Sequence, residues 1–100
     1  MTAKIDLKPE HLKLLLGLLR QHLPHVEIWA YGSRVKGTAR PSSDLDLVAF
    51  AQPEQAAQVA RLKEELEESN LPFRVDLFLW DEVPETFKTN IEQGHVILTE

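Results

Sequence analysis

Residues 29–50 read WAYGSRVKGTARPSSDLDLVAF, and this stretch decides the fold by setting a punctuated turn between two strand-like runs. The run VEIWAY, residues 26–31, is rich in β-branched and aromatic side chains, as is LDLVAF, residues 45–50, and both read as strands. Between them Gly32, Ser33 and Gly37 interrupt any regular element, leaving room for a short helix before Pro41 and two serines.

Working outward, Pro9 suits a first helical position, and Leu12, Leu15, Leu16, Leu19 and Leu23 then recur at helical spacing until Pro24. Leu14 and Leu18 widen that stripe beyond one core face. Pro53 opens a second long helix with Ala56, Val59, Leu62 and Leu66 on one side and a Lys63–Glu67 pair at i,i+4. Asn70 and Pro72 close it, and FRVDLFLW, residues 73–80, reads as a third strand. Pro84 starts a last helix with Phe87 and Ile91 inward and Gly94 as its stop, followed by a short extended tail, HVIL. The order is helix, strand, short helix, strand, helix, strand, helix. It predicts a compact mixed αβ domain over residues 1–100, with no repeat and no linker; strand order is not contained in the pattern.

A chain of 100 residues with 43% apolar content has enough core for one domain. It has no cysteine, which excludes disulfides and thiolate metal sites and is compatible with the cytoplasm. No apolar run approaches the ~18 residues needed to span a bilayer. Lys13, Arg20 and Gln21 interrupt the Leu-rich segment, and no small-residue cleavage pattern follows it. The net charge of −5 argues against a duplex nucleic-acid binder, which needs a basic surface. Arg34, Lys36 and Arg40 form a local basic cluster suited to a few phosphates, or simply a solvated loop.

The turn and the acids carry the chemistry. Side chains alternate along a strand, so Asp44 and Asp46 are expected on one face, roughly 6–7 Å apart. Two such carboxylates repel, and a shared cation relieves the repulsion. Magnesium takes one or two carboxylates and fills its remaining positions with water and phosphate oxygens. Asp76 joins them if its strand lies beside LDLVAF in a suitable register. Three acids could then hold two metals about 3.5–4 Å apart. Gly32 lets a phosphate approach the backbone, Ser33 offers a hydroxyl and an N–H, and a helix starting there would favour an anion. A lone Gly-Ser is usually a turn, and a lone Asp-x-Asp usually a strand edge or Asx turn. Their order and ten-residue spacing make the combination specific.

The Gly-Ser, spacer, Asp-apolar-Asp and later strand carboxylate resemble the signature of the DNA polymerase β nucleotidyltransferase superfamily. The likeness is strongest to its minimal nucleotidyltransferases, single small domains paired with a helical HEPN-domain protein. It extends through YGSR, SSDLDL, RVDLFL and IEQGHVIL, with Tyr31 where that branch often has Phe. The resemblance implies an α+β fold whose mixed sheet carries its helices mainly on one face. It implies that Asp44 and Asp46 bind two Mg²⁺ ions, that Asp76 completes one metal site and helps activate the acceptor hydroxyl, and that Gly32 and Ser33 hold the β- and γ-phosphates of ATP with help from Arg34. AMP would pass to a hydroxyl, a tyrosine of the HEPN toxin, making the chain the antitoxin of a two-gene module and part of a hetero-oligomer. Two other readings stand beside it: a module that binds nucleotide or neutralises its partner by contact alone, and transfer to a small molecule such as an aminoglycoside.

Strand parity adds an expectation about the partner. Asp44, Asp46, Val48 and Phe50 share one face, as do Asp76, Phe78 and Trp80. An apolar area near Phe50, Phe78 or Trp80 is therefore expected beside the acids, open to another chain or covered by the last helix or the tail. His11, His22, His25 and His95 lack paired metal-ligand spacing, and Trp29 and Trp80 read as core or interface. Ser33 has no neighbouring His or Lys to mark it as a nucleophile.

Overall fold

A computed structural model describes residues 5–100. Helix α1 (Pro9–His22) begins with its proline in the first turn and carries Glu10 at its N-terminal end and Arg20 and His22 at its C-terminal end, which suits the helix dipole. Strand β1 (Ile28–Tyr31) leads through Gly32 into a single helical turn, α2 (Ser33–Lys36). Strand β2 (Leu45–Ala49) is followed by a 3₁₀ turn at Pro53–Gln55 and helix α3 (Ala56–Glu68). Strand β3 (Val75–Leu79), a 3₁₀ turn at Trp80–Glu82, helix α4 (Glu85–Gln93) and strand β4 (His95–Thr99) complete the chain.

The sheet order is β3-β2-β1-β4, with β2 and β3 parallel and the other pairs antiparallel. A parallel neighbour requires a long crossover, and α3 supplies it. The core fills one face: Leu15 and Leu19 of α1 and Val59, Leu62 and Leu66 of α3 pack against Ile28, Ala30, Leu45, Leu47, Ala49 and Leu77 of the sheet. This is the α+β arrangement with helices mainly on one side. The chain's last segment departs from the expected extended tail, because HVIL lies within β4 and pairs with β1.

Three local expectations are corrected. Phe87 points outward at 57% exposure whereas Ile91 is buried, since α4 is anchored at its C-terminal turn, where the Ile91 carbonyl meets Nδ1 of His95 at 2.9 Å. Ala56 is exposed because the preceding residues form a 3₁₀ turn and α3 reaches the core only from Val59. The i,i+4 ion pair on α3 is Arg61–Glu65, at 3.9 Å, while Lys63 and Glu67 face a cleft beside β3. Among the described residues no helix is long and apolar enough to cross a membrane.

Candidate active site

The face of the sheet opposite the core is polar at one end. Parallel pairing sets Asp46 of β2 opposite Asp76 of β3, and antiparallel pairing sets Tyr31 of β1 opposite Asp46 and His95 of β4 opposite Tyr31. Paired residues project to the same side, so Asp76, Asp46, Tyr31 and His95 form a row across all four strands. Asp44 lies just before β2 and is exposed. Strand parity therefore fixes Asp46 alone, and the turn before β2 fixes Asp44.

Gly32 brings the Gly-Ser turn against this row. Its backbone takes φ +85° and ψ −157°, a region almost reserved for glycine. A Cβ built at Gly32 would fall 2.6 Å from Oδ2 of Asp46, so only glycine lets the turn pass this close to the carboxylate. Ser33 starts α2; the Val35 and Lys36 N–H groups donate to the Gly32 carbonyl at 3.0 and 3.1 Å, which leaves those of Ser33 and Arg34 without a backbone partner among the described residues. A helix does begin at Ser33, although with four residues α2 has almost no macrodipole. The local N–H groups and the Ser33 hydroxyl are what the turn offers.

Burial, then the charge of Asp76, then that of Asp44 hold the Asp46 carboxyl above the usual carboxylate range. Burial, with Asp46 and Asp76 behind it, pushes the Tyr31 hydroxyl up to about 12. The charges of Asp44 and Asp76 thus both reach the Asp46 carboxyl. Arg74 places Nε 3.0 Å from Oδ1 of Asp76, at an exposed position where such a pair adds little stability but orients the carboxylate.

Arg34 is placed differently from expectation. It is buried at 6% exposure, and its guanidinium donates to the backbone carbonyls of Asp6, Pro41 and Ser43. Those hydrogen bonds use most of its donors, so the structure gives it no free fork for a phosphate.

The donor set fits a hard divalent cation: oxygen ligands only, mutual repulsion that a cation would relieve, and a glycine beside Asp46 that leaves space for phosphate. As the side chains lie, no group of three Asp, Glu or His among the described residues already forms a metal cage. Arg74 draws Asp76 to itself.

Residues 15–100 match the polymerase β nucleotidyltransferase family. The chain belongs to that family. This nucleotidyltransferase is 41% identical over 99 residues to "Probable protein adenylyltransferase MntA" of Haemophilus influenzae, with 98% of the chain and 87% of the relative covered. Among solved structures it resembles a toxin–antitoxin complex with AMP-PNP, at TM-score 0.66 and 21% identity over 87% of this chain and 71% of that one. It also resembles a chain of a Shewanella oneidensis complex of tri-AMPylated HEPN toxin with MNT antitoxin, at TM-score 0.52 and 16% identity over 89% and 69%. These two structures are similar in fold.

Sequence reasoning missed several residues of the nucleotidyltransferase. Arg74 stands two positions before Asp76, and that spacing on a strand was the available signal. Tyr31 and His95 enter the acid row through pairing that no local pattern contains. The apolar area beside the row divides: Phe50 and Trp80 close into a cluster with Trp29, while Phe78 stays 44% exposed. His95 of β4 stacks on Trp29 at 3.8 Å, and Lys88 of α4 lies 5.2 Å over Trp80. The tail and the last helix thus cover one half, and Phe78 remains open beside an open cleft of about 630 Å³ that includes Asp76, Arg74 and Lys63.

Proposed function

We propose that this chain is a Mg²⁺-dependent protein adenylyltransferase that moves AMP from ATP to a hydroxyl, a tyrosine, of a HEPN-type partner, and so serves as the antitoxin of a two-gene module in the cytoplasm. The observation that carries the reading is the register Asp46–Asp76 with Gly32 against Asp46, which sets acids beside a turn open to phosphate. The name of the Haemophilus relative and the toxin–antitoxin complexes of similar fold support the choice of reaction and partner.

In this reading, N–H groups of the turn and the Ser33 hydroxyl hold the β- and γ-phosphates. Asp44, Asp46 and Asp76 would hold Mg²⁺, two ions, which would supply charge neutralisation on the phosphates and on the leaving pyrophosphate. The acceptor hydroxyl approaches along the cleft beside β3 and gives its proton to the Asp76 carboxylate, which Arg74 orients. Its oxygen attacks the α-phosphorus in line, the bond to the β-phosphate oxygen breaks, and pyrophosphate departs. Phe78 would contact the partner beside the acids, giving a hetero-oligomer in which residues 1–100 contribute one minimal domain.

The test is incubation with ATP, Mg²⁺ and the HEPN-type partner, followed by intact mass spectrometry. A gain of AMP on the partner, abolished by Asp44→Ala or Asp46→Ala, is expected. A tight complex without mass gain, together with full neutralisation of the toxin by both variants, overturns catalysis in favour of neutralisation by contact.

A further inference from the structure

Arg34 is a buried cation with no role in the reading above, and its contacts join three segments. Nε and Nη2 both donate to the carbonyl of Ser43, at 3.0 and 2.8 Å, and Nη2 also reaches the carbonyl of Pro41 at 3.1 Å. Nη1 donates to the carbonyl of Asp6 at 2.8 Å, and the Asp6 N–H returns a hydrogen bond to the Arg34 carbonyl at 2.7 Å. The guanidinium lies 4.2 Å from the centre of the Phe73 ring, just ahead of β3. A desolvated guanidinium is costly unless its donors are satisfied, so carbonyls held in this arrangement cannot drift without stranding the charge.

What these contacts grip is the approach to Asp44. The Ser43 Oγ accepts the Arg40 N–H at 2.8 Å and the Ser43 N–H donates to the Arg40 carbonyl at 2.9 Å, closing residues 40–43 into a turn. On the other side the Leu45 N–H donates to the Arg74 carbonyl at 2.8 Å, where β2 begins. Asp44 itself sits in no strand ladder, between a carbonyl clamped by Arg34 and an N–H fixed at the edge of the sheet. Arg34 directly follows Gly32 and Ser33, so one side chain ties the turn to the acid across the spacer loop.

We infer that Arg34 is a positioning residue that fixes Asp44 relative to Asp46 and the Gly32–Ser33 turn, acting through the Ser43 and Pro41 carbonyls rather than by touching nucleotide. The inference rests on the proposed metal-binding role of the acids. Lysine keeps the charge, but its three donors radiate from one nitrogen, so it cannot hold the Ser43, Pro41 and Asp6 carbonyls in one planar arrangement.

The experiment measures affinity for Mn²⁺, by the electron paramagnetic resonance signal of the free ion, in the nucleotide-free full chain. Wild type, Arg34→Met, Arg34→Lys, Asp44→Ala and each Arg34 variant combined with Asp44→Ala are compared, and circular dichroism verifies folding. Arg34→Met should weaken binding about tenfold or more, the scale seen when an outer-shell partner of a metal ligand is removed, with Arg34→Lys weaker than wild type too. Each double variant should bind no more weakly than Asp44→Ala alone, because the effect of Arg34 passes through Asp44. A general structural role predicts additive losses, and a phosphate-contact role predicts unchanged Mn²⁺ binding without nucleotide. Either result overturns the inference. If Arg34→Met does not fold, the Arg34→Lys cycle decides by the same criterion. Wild-type binding no tighter than that of an Asp44→Ala/Asp46→Ala control overturns the metal reading itself, and this inference with it.

Discussion

Replacing Gly32 with alanine should damage stability and chemistry together, and the structure sets both scales. The backbone at φ +85° and ψ −157° is costly for any residue with a Cβ, by about 1–3 kcal/mol. In a domain of this size about 2 kcal/mol corresponds to a fall in melting temperature of roughly 8–16 °C. The new Cβ would also stand 2.6 Å from Oδ2 of Asp46. An ordinary carbon–oxygen approach is about 3.3 Å, so the carboxylate must withdraw by about 0.7 Å. Misplacing a reacting group by about 1 Å can cost ~100-fold in rate, so transfer should fall by roughly that factor. Thermal unfolding followed by circular dichroism reads the first effect, and single-turnover transfer of AMP to the partner, well below the melting temperature, reads the second. Gly17→Ala is the control: Gly17 lies inside α1 with nothing within 4 Å of its built Cβ. That change should stabilise the chain by about 0.5–1 kcal/mol. A Gly32→Ala variant melting within about 2 °C of wild type and transferring AMP within about threefold of it would refute the reasoning.

Other outcomes follow from the same site. Because the folded state raises the Asp46 proton affinity, stability from the protonated form is present below the ordinary value of 3.8 and is lost as pH rises through the folded value. Asp46→Asn should therefore raise the melting temperature of the metal-free chain at pH 7, with the advantage shrinking toward acid pH, and should lower transfer at least about 100-fold; an equal or lower melting temperature at pH 7 contradicts the electrostatic account. Tyr31 is the one tyrosine, so absorbance near 295 nm as a function of pH reports it alone. While the chain stays folded its midpoint should lie near 12, and the stability it contributes should be lost between the ordinary 10 and that value; a midpoint of 10 in the folded chain removes the buried placement beside the acids. Phe78→Asp should leave the melting temperature of the isolated chain nearly unchanged and weaken the partner complex about tenfold or more by titration calorimetry, whereas unchanged affinity places the partner elsewhere.

Much of the candidate site was legible because its signals are local. Gly32, Ser33, Asp44 and Asp46 lie within one short stretch, and the elements flanking it follow from apolar spacing and from proline and glycine punctuation. Asp76 was legible as an acid in an apolar strand, but its standing opposite Asp46 depends on a parallel pairing made through α3. The same limit explains Phe87, whose spacing matched Ile91 although only the C-terminal turn of α4 is anchored against the sheet.

Arg34 shows the limit most clearly. Its place beside Gly32 and Ser33 suggested phosphate, because sequence reports proximity along the chain and the sign of a charge. Where a long side chain turns depends on which carbonyls the fold brings within reach, and one of those belongs to Asp6, 28 residues away. The sequence by itself determined the helices, three of the four strands, the acids and the glycine-led turn, since backbone preference and side-chain alternation are local physics. The tertiary structure alone decided the strand register that aligns Asp46 with Asp76, the pairing of β4, the exposure of Phe78 and the burial of Arg34, since burial and hydrogen-bond partners belong to residues far apart in the chain.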